Sequence, residues 1–125
     1  PVNVVDSSGW LAWFQDEPNA GRFDSPILAT EDLVVPSIVL FEVYRHVRRS
    51  VGVEEAIAAA AVMQRGRIVD LTEHLALAAA ELSVEHALPL ADCIVLTTSR
   101  DHRALLWTQD SDFEGLEDVE FIPRS

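Results

Sequence analysis

Along the chain, short β-branched apolar runs alternate with longer stretches in which apolar residues return every three or four positions. "VNVV" (2 to 5) reads as a strand and "SSGWLAWF" (7 to 14) as a helix with Ser7 or Ser8 as its N-cap. Pro18, Asn19 and Gly21 make "QDEPNAGR" a loop, a short helix is expected over 24–31, and "LVV" (33 to 35) is a second strand. Pro36 ends that strand, and Ser37 is placed to cap the helix "IVLFEVYRHVRRS". "VEEAIAAAAVMQ" (53 to 64) is a helix closed by Gly66, and its alanines at helical spacing predict close helix packing. "RIVDL" (67 to 71) is a third strand, followed by helices "TEHLALAAAELSVEHA" (72 to 87) and "LADCIVLTTSRDH" (90 to 102). "ALLWT" (104 to 108) is a fourth strand and "VEFI" (119 to 122) a fifth, at an edge.

Strands separated by helices long enough for crossovers predict an α/β fold with a mainly parallel sheet of four or five strands and helices on both faces. In such sheets ligands bind beyond the carboxyl ends of the strands, so the residues after each strand carry the functional question. The chain has no internal repeat and no linker, and 125 residues that are 49% hydrophobic suit a single domain, residues 1–125.

The strand exits are acidic. Asp6 follows "VNVV" directly, and Asp110 and Asp112 follow "ALLWT". Glu42 lies in the second turn of the helix after "LVV", within roughly 10 Å of the same edge at about 1.5 Å per residue. Asp92 opens the helix that precedes "ALLWT", with Val95 and Leu96 as its i+3 and i+4 neighbours. Each acid alone has a local explanation: a helix cap for Asp6, a dipole partner for Asp92, an Asx-type turn for Asp110 and Asp112. For Glu42 the alternative is a solvated stripe, since Leu40, Val43, Tyr44, Val47 and Val51 share one helical face while Glu42, Arg45 and Arg49 share the other. Converging on one cleft, the same carboxylates suit Mg²⁺ or Mn²⁺, which take oxygen ligands and leave room for substrate phosphate. With two ions about 4 Å apart, one activates water and the other steadies the leaving oxygen of a phosphodiester.

Charge qualifies this picture. With 21 acids against 9 bases the net charge is −12, which argues against broad attraction to nucleic acid. Bound divalent cations reverse the local sign, so nucleic acid stays open as a partner. Every base is an arginine, and the absence of lysine removes a response-regulator receiver, whose phosphoryl chemistry uses a lysine at its site. Ser7 or Ser8 with one of His46, His74, His86 and His102 would be needed for serine hydrolysis, but no G-x-S-x-G elbow is present. No two histidines stand at i,i+4 spacing for a transition metal. The single Cys93 lies in an apolar helix and reads as a buried, inert thiol of a reducing compartment. No stretch approaches the roughly 20 apolar residues of a membrane span and no signal-peptide pattern opens the chain, so a soluble, cytoplasmic protein with no membrane partner is expected.

"VVDSSGWLAWF", "VPSIVLFEVYR", "LPLADCIVLTTSRDH" and "LWTQDSDFEG", in this order and spacing, resemble the PIN-domain family, most closely the VapC toxins of toxin–antitoxin systems. The resemblance runs from the first strand to the last. It implies a three-layer α/β/α sandwich and a metal-dependent endoribonuclease using Mg²⁺ or Mn²⁺. Asp6, Glu42, Asp92 and Asp110 would be its acidic quartet, with Asp6, Asp92, Asp110 and Asp112 as metal ligands. Ser7 would hydrogen-bond a carboxylate or a metal-bound water, and Thr108 would orient the last acids.

The partners implied are RNA, a cognate antitoxin and a second copy of the chain, the last also suggested by apolar Phe41 and Ile38 beside Glu42. RNA contact falls to Arg45, Arg48 and Arg49, with Arg22, Arg100 and Arg103 as secondary candidates; the same arginines could be solubilising charges or antitoxin contacts. A housekeeping PIN nuclease and a PIN-fold binding module without catalysis are the alternative functions.

Overall fold

The computed structural model describes residues 1–124. Five strands, β1 (Asn3–Val5), β2 (Leu33–Pro36), β3 (Arg67–Val69), β4 (Leu105–Thr108) and β5 (Val119–Phe121), form one sheet in the order β3-β2-β1-β4-β5. Every neighbouring pair is parallel, β5 included. Helices α1 (Ser7–Phe14), α2 (Asp24–Leu28), α3 (Ser37–Ser50), α4 (Val53–Met63), α5 (Glu73–Glu85) and α6 (Leu90–Asp101) flank the sheet and supply its crossovers. Residues 109–118, with one 3₁₀ turn at Ser111–Phe113, suffice to link β4 to its parallel neighbour β5. The chain builds outward from β1 through β2 to β3 and then returns to β4, so the order reverses between β1 and β4. That reversal opens a crevice at the carboxyl ends of the strands. No helix among the described residues is long and apolar enough to cross a membrane.

The central strands are buried on both faces, which explains their unbroken apolar runs: Val4, Val5, Val35 and Leu106 have no exposed surface. In α3 the buried positions are Val39, Val43 and Val47, a strict i,i+4 stripe. Val51, placed on that stripe by its spacing, is instead 59% exposed because the chain leaves the helix there. Ala56 and Ala59 of α4 are buried, and α4 packs against α3 as the alanine run predicts.

Several boundaries differ from the sequence reading. Residues 24–31 are a five-residue helix bracketed by 3₁₀ turns, β3 stops at Val69, its last partner to β2 being Pro36, and Ser37 is helical without capping by its side chain. Asp6, not Ser7 or Ser8, caps α1: its Oδ1 accepts the Gly9 N–H at 3.0 Å. Gly66 does not end α4 through a left-handed cap; a Cβ there would lie 3.0 Å from the Leu33 carbonyl oxygen, so glycine lets the chain pass close to β2.

Gly9 is tighter still. An added Cβ would sit 2.6 Å from Phe23 Cε1 and 2.7 Å from Val5 Cγ1. Gly9→Ala is therefore expected to cost roughly 1–3 kcal/mol by overpacking. Denaturant unfolding checks this, and an unchanged midpoint would contradict it.

Candidate metal centre

Register brings the first two acids together. Val5 pairs with Trp107 across β1 and β4, so the next residues, Asp6 and Thr108, leave the sheet side by side. The Asp6 amide donates to the Trp107 carbonyl at 3.1 Å, carrying the pairing one step further. Beyond it the Thr108 hydroxyl donates to Asp6 Oδ2 at 2.6 Å and accepts the Asp110 N–H at 2.9 Å. One fully buried threonine thus links the two strand exits. Asp110 Oδ1 in turn accepts the Asp112 N–H at 2.9 Å and shapes the 3₁₀ turn.

The third and fourth acids arrive on helices. α6 leads back toward the start of β4, so its first turn, carrying Asp92, stands at the edge where β4 ends. Oxygens of Asp92, Asp110 and Asp112 lie within 4.8 Å of one another. Asp6 and Glu42 are outside that group of three but within reach of its charge: both raise the Asp92 carboxyl. Among the described residues the one ion pair is His74–Asp101 on α5 and α6, so no basic side chain neutralises any of the five acids.

The cost of this arrangement shows in the acidities. Burial lifts the Asp92 carboxyl from 3.8 to about 7, and the charges of Asp110, Asp6, Asp112 and Glu42 add to the rise. Asp6 is lifted from 3.8 to about 6 by burial, against hydrogen bonds from Thr108, Ser8 and Gly9 that hold it down. Glu42 is raised by burial and lowered by the Ser7 hydroxyl. Burial and the charge of Asp92 push the Cys93 thiol up, which keeps it protonated.

These shifts give a pH dependence whose sign is opposite to that of an ordinary salt-bridged carboxylate. Because the folded pKa values lie above 3.8, the folded chain binds more protons than the unfolded one between about pH 4 and pH 7. Stability of the metal-free protein is thus greatest below this window and falls as pH rises through it. For Asp6 the limit is on the order of 3 kcal/mol at about 1.4 kcal/mol per pKa unit, and solvent screening makes half-exposed Asp92 contribute less than its shift suggests. The midpoint of thermal unfolding in EDTA should be higher at pH 5.5 than at pH 8. A midpoint that rises over that interval would contradict the assignment.

Ser8, rather than Ser7, holds Asp6: its hydroxyl donates to Asp6 Oδ1 at 2.7 Å. Ser7 faces Glu42 instead, so the carboxylate it serves is the one on α3. Arg45 and Arg49 are exposed on α3 and line one groove with Ser7 and Glu42, and Arg48 lines the adjoining groove with Phe41 and Tyr44. Arg100 and Arg103 sit where α6 ends and β4 begins, at the opposite edge of the sheet, and Arg100 Nη2 donates to the Glu117 carbonyl. That placement removes both from a surface shared with the acids. Arg22 is exposed on the 3₁₀ turn beside α1. Gln109, only 4% exposed, was not singled out by the sequence, because nothing in the local pattern marks a glutamine whose partners are remote.

The profile of the PIN domain matches residues 4–119. The chain belongs to the PIN-domain family. No curated protein matches it significantly. Among solved structures it is similar to a toxin–antitoxin complex from Klebsiella pneumoniae, with 20% identity, TM-score 0.81, and 94% of this chain and 95% of that chain covered. VapC20 of Mycobacterium tuberculosis, described as a sarcin–ricin-loop-cleaving toxin, is 24% identical with TM-score 0.79 over 97% of this chain and 99% of that one. DNA-bound VapBC from Salmonella typhimurium is 17% identical with TM-score 0.77, covering 98% and 97%. At these identities the likeness establishes the shared PIN fold, a parallel sheet flanked by helices.

Proposed function

We propose that this PIN domain is a Mg²⁺- or Mn²⁺-dependent endoribonuclease and the toxin of a VapBC-type pair, acting in the cytoplasm. The observation that carries this reading is the group of three carboxylates within 4.8 Å, without a basic partner among the described residues, at the crevice of a PIN fold. All-oxygen donors suit a hard divalent cation, and uncompensated acids, Asp92 and Asp110 half-buried among them, favour binding one. Asp92, Asp110 and Asp112 would hold it, and the Asp6 carboxylate would add negative charge beside them. When bound, the cation supplies Lewis acidity to a phosphodiester and lowers the pKa of water.

The chain's own residues do the rest. Glu42, with its basicity raised by burial and its carboxylate beside Ser7, accepts a proton from the attacking water. Arg45 and Arg49, in the groove that contains Glu42, bind backbone phosphates of the RNA away from the scissile bond. The antitoxin is the expected protein partner, and Phe41, 62% exposed, is the expected contact between two copies. Ile38 contributes less there, being half-buried against the α5–α6 packing.

Purified protein should cleave RNA with Mg²⁺, and not with EDTA or as Asp6→Asn; equal activity in all three samples would sink the reading. In the same assay Arg45→Ala with Arg49→Ala should raise KM with little change in kcat. Growth arrest on expression, relieved by a protein encoded beside the gene, separates a toxin from a housekeeping nuclease.

A further inference from the structure

Behind the acids lies a polar network that the proposed chemistry does not use. Gln109 stands between Thr108 and Asp110 and is 4% exposed. Its backbone N–H donates to Ser8 Oγ at 3.2 Å, and its carbonyl accepts Arg124 Nη1 at 3.4 Å. Its side-chain Oε1 accepts Asn19 Nδ2 at 3.1 Å, while Nε2 donates to Glu17 Oε1 at 3.3 Å and to the Ser8 carbonyl at 3.4 Å. Asn19 Nδ2 also reaches the Pro123 carbonyl at 3.0 Å. One residue thereby joins the start of α1, the loop after α1 and the C-terminal segment.

We infer that Gln109 is a positioning residue for the metal centre, holding the backbone that carries Asp110 and Asp112 in the geometry a cation requires. The inference rests on the reading that these acids bind a metal. Side chains on successive residues leaving a strand point to opposite sides, so Thr108 and Asp110 face the acids while Gln109 faces the network. A buried amide is fixed when both its oxygen and its nitrogen are engaged, and here each is. The two buried hydrogen-bond sets share Ser8, whose hydroxyl accepts the Gln109 N–H and donates to Asp6 Oδ1. Movement of Gln109 is therefore transmitted to Asp110 through the chain and to Asp6 through Ser8. This is how outer hydrogen bonds orient metal ligands in general, with losses of about 10–100-fold in metal affinity when they are removed.

The test is Mn²⁺ affinity by isothermal titration at pH 8, with unfolding of the metal-free proteins measured alongside. Gln109→Met keeps the length of the side chain and removes its hydrogen bonds; it should weaken Mn²⁺ binding about 10-fold or more. Asn19→Ala, a milder change in case Gln109→Met fails to fold, should weaken binding in the same direction by a smaller factor. A purely structural role would lower the unfolding midpoint yet leave the affinity of the folded variants at the wild-type value, and that result overturns the inference. Absence of Mn²⁺ binding by the wild type is a different outcome: it overturns the metal reading, and the inference with it.

Discussion

Asp92→Asn is expected to reduce RNA cleavage by at least about 100-fold, the scale on which metal sites respond even to loss of an outer-shell partner. The same substitution should make the metal-free protein more stable at pH 8. Both effects have one cause. The Asp92 carboxyl is raised to about 7 by burial and by four neighbouring acids, so at pH 8 it is an ionised group in an environment that opposes ionisation. Asparagine has nearly the same shape and no charge, and it relieves that repulsion while replacing an anionic carboxylate ligand with a neutral amide. Function and stability pull apart in this way where acids are assembled for a cation. Cleavage rates and thermal unfolding in EDTA check the pair. Wild-type cleavage, or a lower midpoint at pH 8, would remove Asp92 from the centre.

Thr108→Val should cost the most in stability. The side chain has no exposed surface, and valine fills its space, so the packing is retained. What disappears is a hydroxyl that donates to Asp6 Oδ2 and accepts the Asp110 N–H. Two polar groups then lack a partner, at about 1–3 kcal/mol each with the part-buried Asp110 N–H at the low end, so a loss of roughly 2–4 kcal/mol is expected. At this chain length that lowers the unfolding midpoint by roughly 5–15 °C. Because the Thr108 hydrogen bond holds the Asp6 pKa down, its loss pushes that carboxyl further up, and metal affinity falls. Thr108→Ser restores the hydroxyl and should recover most of both losses. A valine variant with wild-type stability would show that the threonine does not link the strand exits.

Much of the candidate centre was legible because local rules place its acids. Asp6 and Asp110 follow strands, and parallel pairing of β1 with β4 puts such residues at one edge. Asp92 could be placed because a helix preceding a parallel strand begins at the edge where that strand ends. Glu42 followed from helical periodicity, which holds over α3 even though Val51 departs from it. Choices that turn on a single rotation about the helix axis were not legible. Ser7 and Ser8 are adjacent and chemically alike; Ser8 serves Asp6 within the N-terminal turn, while the docked orientation of α1 against α3 gives Ser7 to Glu42. The Gln109 network was hidden for another reason: Asn19 lies 90 positions away, and no local pattern signals a partner at that distance. Arg100 and Arg103 show the converse, since counting bases without topology made secondary RNA candidates of residues that stand at the opposite edge of the sheet from the acids.

Binding of a divalent cation by these carboxylates can be read out as proton release. Metal ligands must be deprotonated, so binding below or near a raised pKa expels protons. Mn²⁺ should be titrated into metal-free protein at pH 6.5 and pH 8.5, in buffers of differing ionisation enthalpy, with Asp110→Asn in parallel. With Asp6 near 6 and Asp92 near 7, saturable binding should release more protons at the lower pH, and Asp110→Asn should abolish it. No saturable binding, or binding that Asp110→Asn leaves intact, would contradict the account.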